Sequence, residues 1–224
     1  MTVQLTTPST ATAPEPASRS LWRWAGGLAL AHVVLLFAGF SQEVTVDHST
    51  SLSDLQKTYG GASLTRVYAG GYVEALAFVV LVPALVLLAR LFGRRTESGR
   101  VAAHTFLGLG LVYSAATLAV GFAPGAAALY AAHHGVDVRA IAMVNDIRNY
   151  GYVLQVAISL AMALALGVAA VRERVMVRWA GWCGVGVGAV GLVVTPFAHN
   201  AVGLVQTVWW VGLALLCLRA PERG

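Results

Sequence analysis

The sequence predicts an all-α, multi-pass membrane helix bundle, and three observations carry that prediction. Hydrophobic residues make up 58% of the 224 residues, charged residues only 11%, and the mean hydropathy is +0.71. Soluble domains carry about 25% charged residues. The apolar residues gather into long runs, and the basic residues lie between alternate runs. This composition excludes an ordinary soluble domain and a disordered chain. With only Cys183 and Cys217, a disulfide-stapled domain is excluded as well.

The apolar runs predict six transmembrane helices, because ~30 Å of hydrocarbon needs about 20 helical residues and a lipid-facing backbone must satisfy its own hydrogen bonds. A six-helix domain is expected over residues 21–218, between a disordered cytoplasmic tail (1–20) and a short tail (219–224). The six runs are 21–40, 66–92, 101–122, 150–171, 179–198 and 201–218.

The N-terminal region admits a second interpretation, a cleaved signal peptide, because residues 28–37 resemble its apolar core and Arg23 precedes them. The apolar run continues to Phe40, and no small-x-small cleavage site precedes Ser41. These features favour an uncleaved first span.

The distribution of Arg and Lys predicts the orientation. Eleven basic residues fall on the side of the termini and four on the other, so both termini are expected in the cytoplasm. Fourteen Arg against one Lys, with abundant Ala, Gly and Val, is typical of a GC-rich bacterial genome, and the expected location is the bacterial plasma (inner) membrane. The basic loops are suited to anionic lipid headgroups and are too short for a nucleic-acid module. Membrane lipids are the expected partners, and no nucleic acid is expected.

Two outer segments are longer than a hairpin requires. Ser51 and Asp54 have the spacing of a capping box, with Gly60 and Gly61 at the end of the segment. Residues 136–149 place their apolar side chains on one stripe. Both segments are expected to form short helices on the outer face, either as lids or as packing elements.

The fifth span is rich in glycine. Gly186, Gly188 and Gly191 match the dinucleotide fingerprint in letters only, because no strand precedes them. Gly184 and Gly188, four residues apart, predict close helix packing instead. This glycine-rich helix is also a candidate contact for a homo-oligomer.

Ionisable residues within a span are costly and mark candidate functional sites. Glu74 lies eight residues inside Arg66, about 12 Å below the outer end of span 2, and His32 lies eight residues inside Phe40 on span 1. The two are therefore expected at matching depth as candidate catalytic residues of an outward-facing polar pocket. The other predicted pocket residues are Tyr72, Gln155, Arg148, Asn149, His199 and Asn200.

Three roles for Glu74 remain open. It could stabilise the packing, protonated or hydrogen-bonded to His32; it could be a functional acid or contact a ligand; or it could be exposed to lipid headgroups. The two His residues of the outer loop, His133 and His134, lack a convincing ligand set, so no metal and no cofactor is expected.

The chain resembles a bacterial family of uncharacterised integral membrane proteins, a domain of unknown function with about six helices, over roughly residues 22–218. The resemblance lies in five features: the Gly/Leu/Ala-rich first span, the outer helix 51–59 leading into Leu64-Thr65-Arg66, Glu74, the long segment before Tyr150-Gly151-Tyr152, and Val177-Arg178-Trp179-Ala180-Gly181. It implies membrane location and topology. The chain is also similar to small membrane-bound terpene cyclases, which pack helices around an acidic residue in the second span. It departs from them in having a single intramembrane carboxylate.

Three classes of function are consistent with these residues. The first is a protein that binds a lipid, a small amphiphile or a membrane partner in the polar pocket. The second is an enzyme acting on an isoprenoid or lipid with Glu74 as proton donor. The third is a small proton-coupled transporter, in which Glu74 and His32 relay protons and Arg148 attracts an anion.

Overall fold

The computed structural model describes residues 18–219. The tail predicted at 1–20 lies almost entirely outside the described residues, as does nearly all of that at 219–224. Within the described range every regular element is helical. The helices are α1 (Arg19–Phe40), α2 (Leu52–Gly61), α3 (Leu64–Phe92), α4 (Glu97–Ala116), a π-helical segment (Thr117–Phe122), α5 (Ala123–His133), α6 (Val138–Glu173) and α7 (Arg178–Leu218).

Five helical units of the described chain are long and apolar enough to cross a membrane. They are Arg19–Phe40, Leu64–Phe92, Glu97–His133, Val138–Glu173 and Arg178–Leu218. The all-α membrane fold predicted from composition is confirmed at this level. The helix starts follow local chemistry, because Ser51, Ser63 and Thr96 each accept a hydrogen bond from the backbone N–H three residues ahead. The capping role predicted for Ser51 is confirmed.

The fifth unit, α7, reverses direction at Ala198, whose backbone is non-helical (φ −148°, ψ 43°). A Cβ on Gly184 would lie 3.0 Å from the Trp209 ring. In a straight helix these positions would be about 37 Å apart, at 1.5 Å per residue. Pro196 lacks an N–H group and weakens the helix just before the reversal. The first half of α7 (residues 178–197) and its second half (199–218) therefore form an antiparallel hairpin.

The segment predicted between spans 3 and 4 is more helical than expected, whereas Leu52–Gly61 forms the short helix that was predicted. Residues 136–149 do not form a separate short helix on the outer face, because α6 runs without a break from Val138 to Glu173. The boundary predicted between the outer segment and the fourth span, at residues 149 and 150, lies within this helix. Gly151 is needed within it because a Cβ there would lie 2.6 Å from the Val120 side chain. The third span likewise continues beyond residue 122 through the π-helical segment into α5.

The first half of α7 packs along α6 through its glycines. A Cβ on Gly184 would lie 3.1 Å from Gly167 Cα, and one on Gly188 would lie 2.6 Å from Leu164. Gly181 and Gly191 meet the same helix, whereas Gly186 faces open space. The close packing predicted for Gly184 and Gly188 is confirmed. These contacts are made within the chain, with α6, and contact of this helix with a second copy stays a prediction.

Candidate functional site

Glu74 is buried where α1 crosses α3, with only 5% of the residue exposed. The crossing is close because Gly39 has no side chain: a Cβ there would lie 2.5 Å from Glu74 Cγ and 2.6 Å from Gly70 O. The chain leaves α1 just beyond this contact, so the first residues of the α1–α2 loop pass directly over Glu74.

Glu43, in that loop, supplies a second carboxyl group. The Glu43 and Glu74 carboxyl groups are neighbours that interact electrostatically with each other. Arg148 on α6 pairs with Glu43 through Nη2 and donates from Nη1 to Val44 O. The side chains of Arg148 and Glu43 are 11% and 5% exposed, so this is a buried ion pair. We refer to Glu43, Glu74 and Arg148 as the carboxyl–arginine cluster.

Further hydrogen bonds tie the α1–α2 loop to α6. Val46 O accepts from Asn145 Nδ2 at 3.2 Å and from Asn149 Nδ2 at 3.1 Å. The buried Tyr59 hydroxyl of α2 donates to Asn145 Oδ1 at 2.8 Å. The loop and α2 thus form a closed roof over Glu74. Glu74 is covered by this roof, and the outward-facing polar pocket expected from the sequence stays a prediction.

Two glycines provide the space that the cluster occupies. A Cβ on Gly71 would overlap the Phe122 ring, which fills the notch beside Glu74 on α3. A Cβ on Gly125 of α5 would lie 3.2 Å from Arg148 Nη1, so the guanidinium rests against the backbone of α5. The π-helical segment ends at Phe122 and therefore helps to define this space.

The electrostatics of the cluster follow from its burial. Burial raises the pKa of Glu43, and the Arg148 charge and the hydrogen bond from Arg148 offset this in part. Two neighbouring carboxyl groups repel each other when both are charged, so their shared site favours a proton on one of them. Such a cluster is suited either to fastening the roof or to donating that proton.

His32 is separate from this cluster. Its Nδ1 lies 2.9 Å from Ala77 O, and its ring stands edge-on to Phe78. A carbonyl oxygen only accepts, so Nδ1 carries the proton, and in the neutral ring Nε2 is then the acceptor. His32 meets α3 at Ala77, about one helical turn from Glu74. No hydrogen bond joins His32 to Glu74 among the described residues.

A cleft between α1 and the second half of α7 opens beside His32. The two helices touch near the start of α1 and the end of α7, where a Cβ on Gly26 would lie 2.6 Å from Ala214 O, and a cavity of about 50 Å³ lies between them further along. The apolar lining residues are Val33, Leu36, Phe37, Leu81 and Trp210. The polar lining residues are His32, Tyr113, Gln206 and Thr207. We refer to this cavity as the lateral cleft.

The remaining predicted pocket residues do not form one site. Tyr72 is 67% exposed on the outer surface of α3, and Asn200 is exposed at the α7 reversal. His199 stands edge-on to Tyr152. Gln155 is buried, and its Nε2 has no hydrogen-bond partner among residues 18–219. Arg148 and Asn149, by contrast, hold the roof.

Sequence reasoning overlooked three residues that matter here. Glu43 was recognised as an outer acid but not as the partner of Glu74, because a loop residue has no predictable direction. Tyr113 carried no signal beyond its aromatic type. Glu173 is buried at the C-terminal end of α6, where its carboxylate accepts from the backbone N–H groups of residues 94–96. No group of three or more His, Cys, Asp or Glu residues in the described chain is placed to bind a metal ion.

The helical bundle with a roofed carboxyl–arginine cluster defines the class as a polytopic, all-α membrane protein. The chain matches the family described as Domain of unknown function (DUF4386) over residues 24–220 and belongs to that family. No curated protein and no solved structure matches it.

Proposed function

We propose that this protein is a six-span bacterial plasma-membrane protein, with both termini cytoplasmic, that binds a lipid-like amphiphile in the lateral cleft. Counting the two halves of α7 separately supports six spans, each near the 20 residues that a bilayer requires. The excess of Arg near both termini supports the orientation.

The observation that carries the binding proposal is that the cleft combines an apolar wall with a few polar side chains. Val33, Leu36 and Phe37 supply the apolar wall along α1, and His32 and Thr207 supply polar atoms within it. Ligand sites are typically apolar with a few convergent polar groups. A cleft between two spanning helices is also reached from within the bilayer, where an amphiphile is concentrated and already oriented.

Photo-crosslinking tests this proposal. The protein is reconstituted into phosphatidylcholine vesicles with hexadecanol or palmitate probes that carry a diazirine at the tail end, and adducts are located by mass spectrometry. Adducts are expected on residues that line the cleft. Val33→Trp fills the cleft and should remove them, whereas Val34→Trp, on the exposed face of the same helix, should not. Adducts spread evenly over the lipid-facing surface and insensitive to Val33→Trp would reject amphiphile binding in the cleft.

A second candidate function is acid catalysis on an isoprenoid, with Glu74 as proton donor. The observation that favours it is the placement of Glu43 beside Glu74, a second carboxyl group that the sequence did not locate there. Proton transfer to a carbon–carbon double bond in deuterated water places deuterium on carbon. Incubation with squalene or geranylgeraniol should then give a deuterated product in wild type and none in Glu74→Gln. Absence of deuterium in wild type would eliminate protonation of these isoprenoids.

The third class, a proton-coupled transporter, stays a prediction. It requires Arg148 to attract an anion, and in the described chain Arg148 is engaged by Glu43 and Val44 O.

A further inference from the structure

The hydrogen-bonding groups in the lateral cleft are specific enough to indicate what kind of headgroup it accepts. Nδ1 of His32 is used by Ala77 O, so Nε2 is left as an acceptor. The Thr207 hydroxyl donates to Gly203 O at 2.9 Å, so its remaining capacity is to accept. Tyr113 contributes a phenol, which both donates and accepts.

The charge of the residues that line the cleft limits which headgroups it can accept. None of its lining residues is Asp, Glu, Lys or Arg. A charged headgroup would therefore be buried without a counter-ion, which costs several kcal/mol. The lining therefore favours an uncharged headgroup, and the cavity of about 50 Å³ has room for a small one such as a hydroxymethyl group.

We infer that the lateral cleft selects an uncharged long-chain alcohol, whose hydroxyl donates to His32 Nε2 and accepts from Tyr113 while its tail lies along the apolar wall of α1. The inference rests on the proposed function, since it names the ligand of the same site. His32 is then a ligand-binding residue, and its bond to Ala77 fixes the tautomer that binds.

Competition against the hexadecanol photoprobe tests the headgroup in the wild-type protein. The competitors share one tail and differ only at the head: hexadecanol, hexadecyl methyl ether, palmitate and hexadecylamine. The ether keeps the oxygen acceptor and lacks the donor. Hexadecanol should compete about fivefold better than the ether, the equivalent of one net hydrogen bond. The two charged amphiphiles should compete no better than the ether.

A His32 variant assigns that preference to the imidazole. His32→Asn keeps an N–H placed to donate to Ala77 O and loses the acceptor at Nε2, so it should abolish the preference for alcohol over ether. His32→Leu, which loses both groups, should do the same and should also lower the unfolding temperature. The unfolding temperature of His32→Asn, compared with wild type, distinguishes loss of the acceptor from misfolding.

The outcomes separate this inference from the proposed function. If all four competitors displace the probe equally, or if His32→Asn retains the preference in a folded protein, the alcohol inference is wrong and amphiphile binding stands. If palmitate or hexadecylamine competes best, the cleft selects a charged head and the inference is again overturned. If no probe labels the cleft of the wild-type protein, both proposals fail together.

Discussion

Replacing Arg148 by methionine should strongly destabilise the folded protein. Arg148 is the one cation within the described carboxyl–arginine cluster, and an uncharged thioether in its place would leave Glu43 and Glu74 buried without a counter-charge. The change would also remove the donor to Val44 O. Removing one partner of a buried ion pair typically costs about 3–5 kcal/mol. That is a large part of the roughly 5–15 kcal/mol by which folded domains are stable.

Unfolding by sodium dodecyl sulfate in mixed micelles, followed by circular dichroism, measures the free energy of unfolding. Arg139→Met is the matched control, because Arg139 lies on the same helix and is exposed. It should change the free energy of unfolding by less than about 0.5 kcal/mol. In a double-mutant cycle, Arg148→Met with Glu43→Gln should recover part of the loss, since the second change removes the uncompensated carboxylate.

The pH dependence has a definite sign. Burial raises the pKa of Glu43 above its unfolded value, so the native state binds more protons than the unfolded state as the pH rises past about 4.5. Stability from this group is full at low pH and is lost as the pH rises through the folded-state pKa. Arg148 lowers that pKa, so its removal should enlarge the loss: the Arg148→Met deficit should be greater at about pH 8 than at about pH 5. A deficit below about 1 kcal/mol, independent of pH, would refute the buried-pair reasoning.

Three further changes test other parts of the fold by the same unfolding measurement. Tyr59→Phe should cost about 1–2 kcal/mol of stability, because the buried amide of Asn145 loses its hydrogen-bond donor. Tyr72→Phe, at an exposed site, should leave the stability unchanged. Equal effects of the two changes would contradict the role of Tyr59 in holding the roof. Gly184→Ile should cost at least about 1–3 kcal/mol by forcing α6 and α7 apart, and Gly186→Ile, facing open space, should not. Glu173→Gln should cost about 1–3 kcal/mol, since its carboxylate accepts from three backbone N–H groups, and a neutral result would mean that this junction contributes little to stability.

The carboxyl–arginine cluster and the lateral cleft have separate proposed roles, one in holding the roof and the other in binding a ligand. The cluster ties the α1–α2 loop to α6 through Glu43 and Arg148, over Glu74. The cleft beside His32 is lined by residues of α1, α3, α4 and α7, none of which belongs to the cluster. Experiments on Glu74 therefore report on the roof or on proton transfer, whereas experiments on His32 report on ligand binding.

The sequence alone determined the helices and their class. A chain with 58% hydrophobic residues in runs near 20 residues can satisfy its backbone in a bilayer only as helices. It also predicted the Ser51 cap and the packing of Gly184 and Gly188, because these depend on residues close together in the chain. Residues 136–149 were placed in a separate helix because amphipathicity indicates a surface without showing where a helix ends.

Only the tertiary structure decided which polar groups meet. Glu74 and His32 were predicted at one depth from helical rise alone, but depth does not fix the direction of a side chain around a helix axis. The close approach of α1 to α3 at Gly39 brings Glu43 to Glu74. The His32 imidazole is instead hydrogen-bonded to Ala77 O. Likewise, the reversal at Ala198 and the divergence of α7 from α1 create the cleft. Contacts between residues distant in the chain depend on loop paths and helix rotation, neither of which a local pattern encodes.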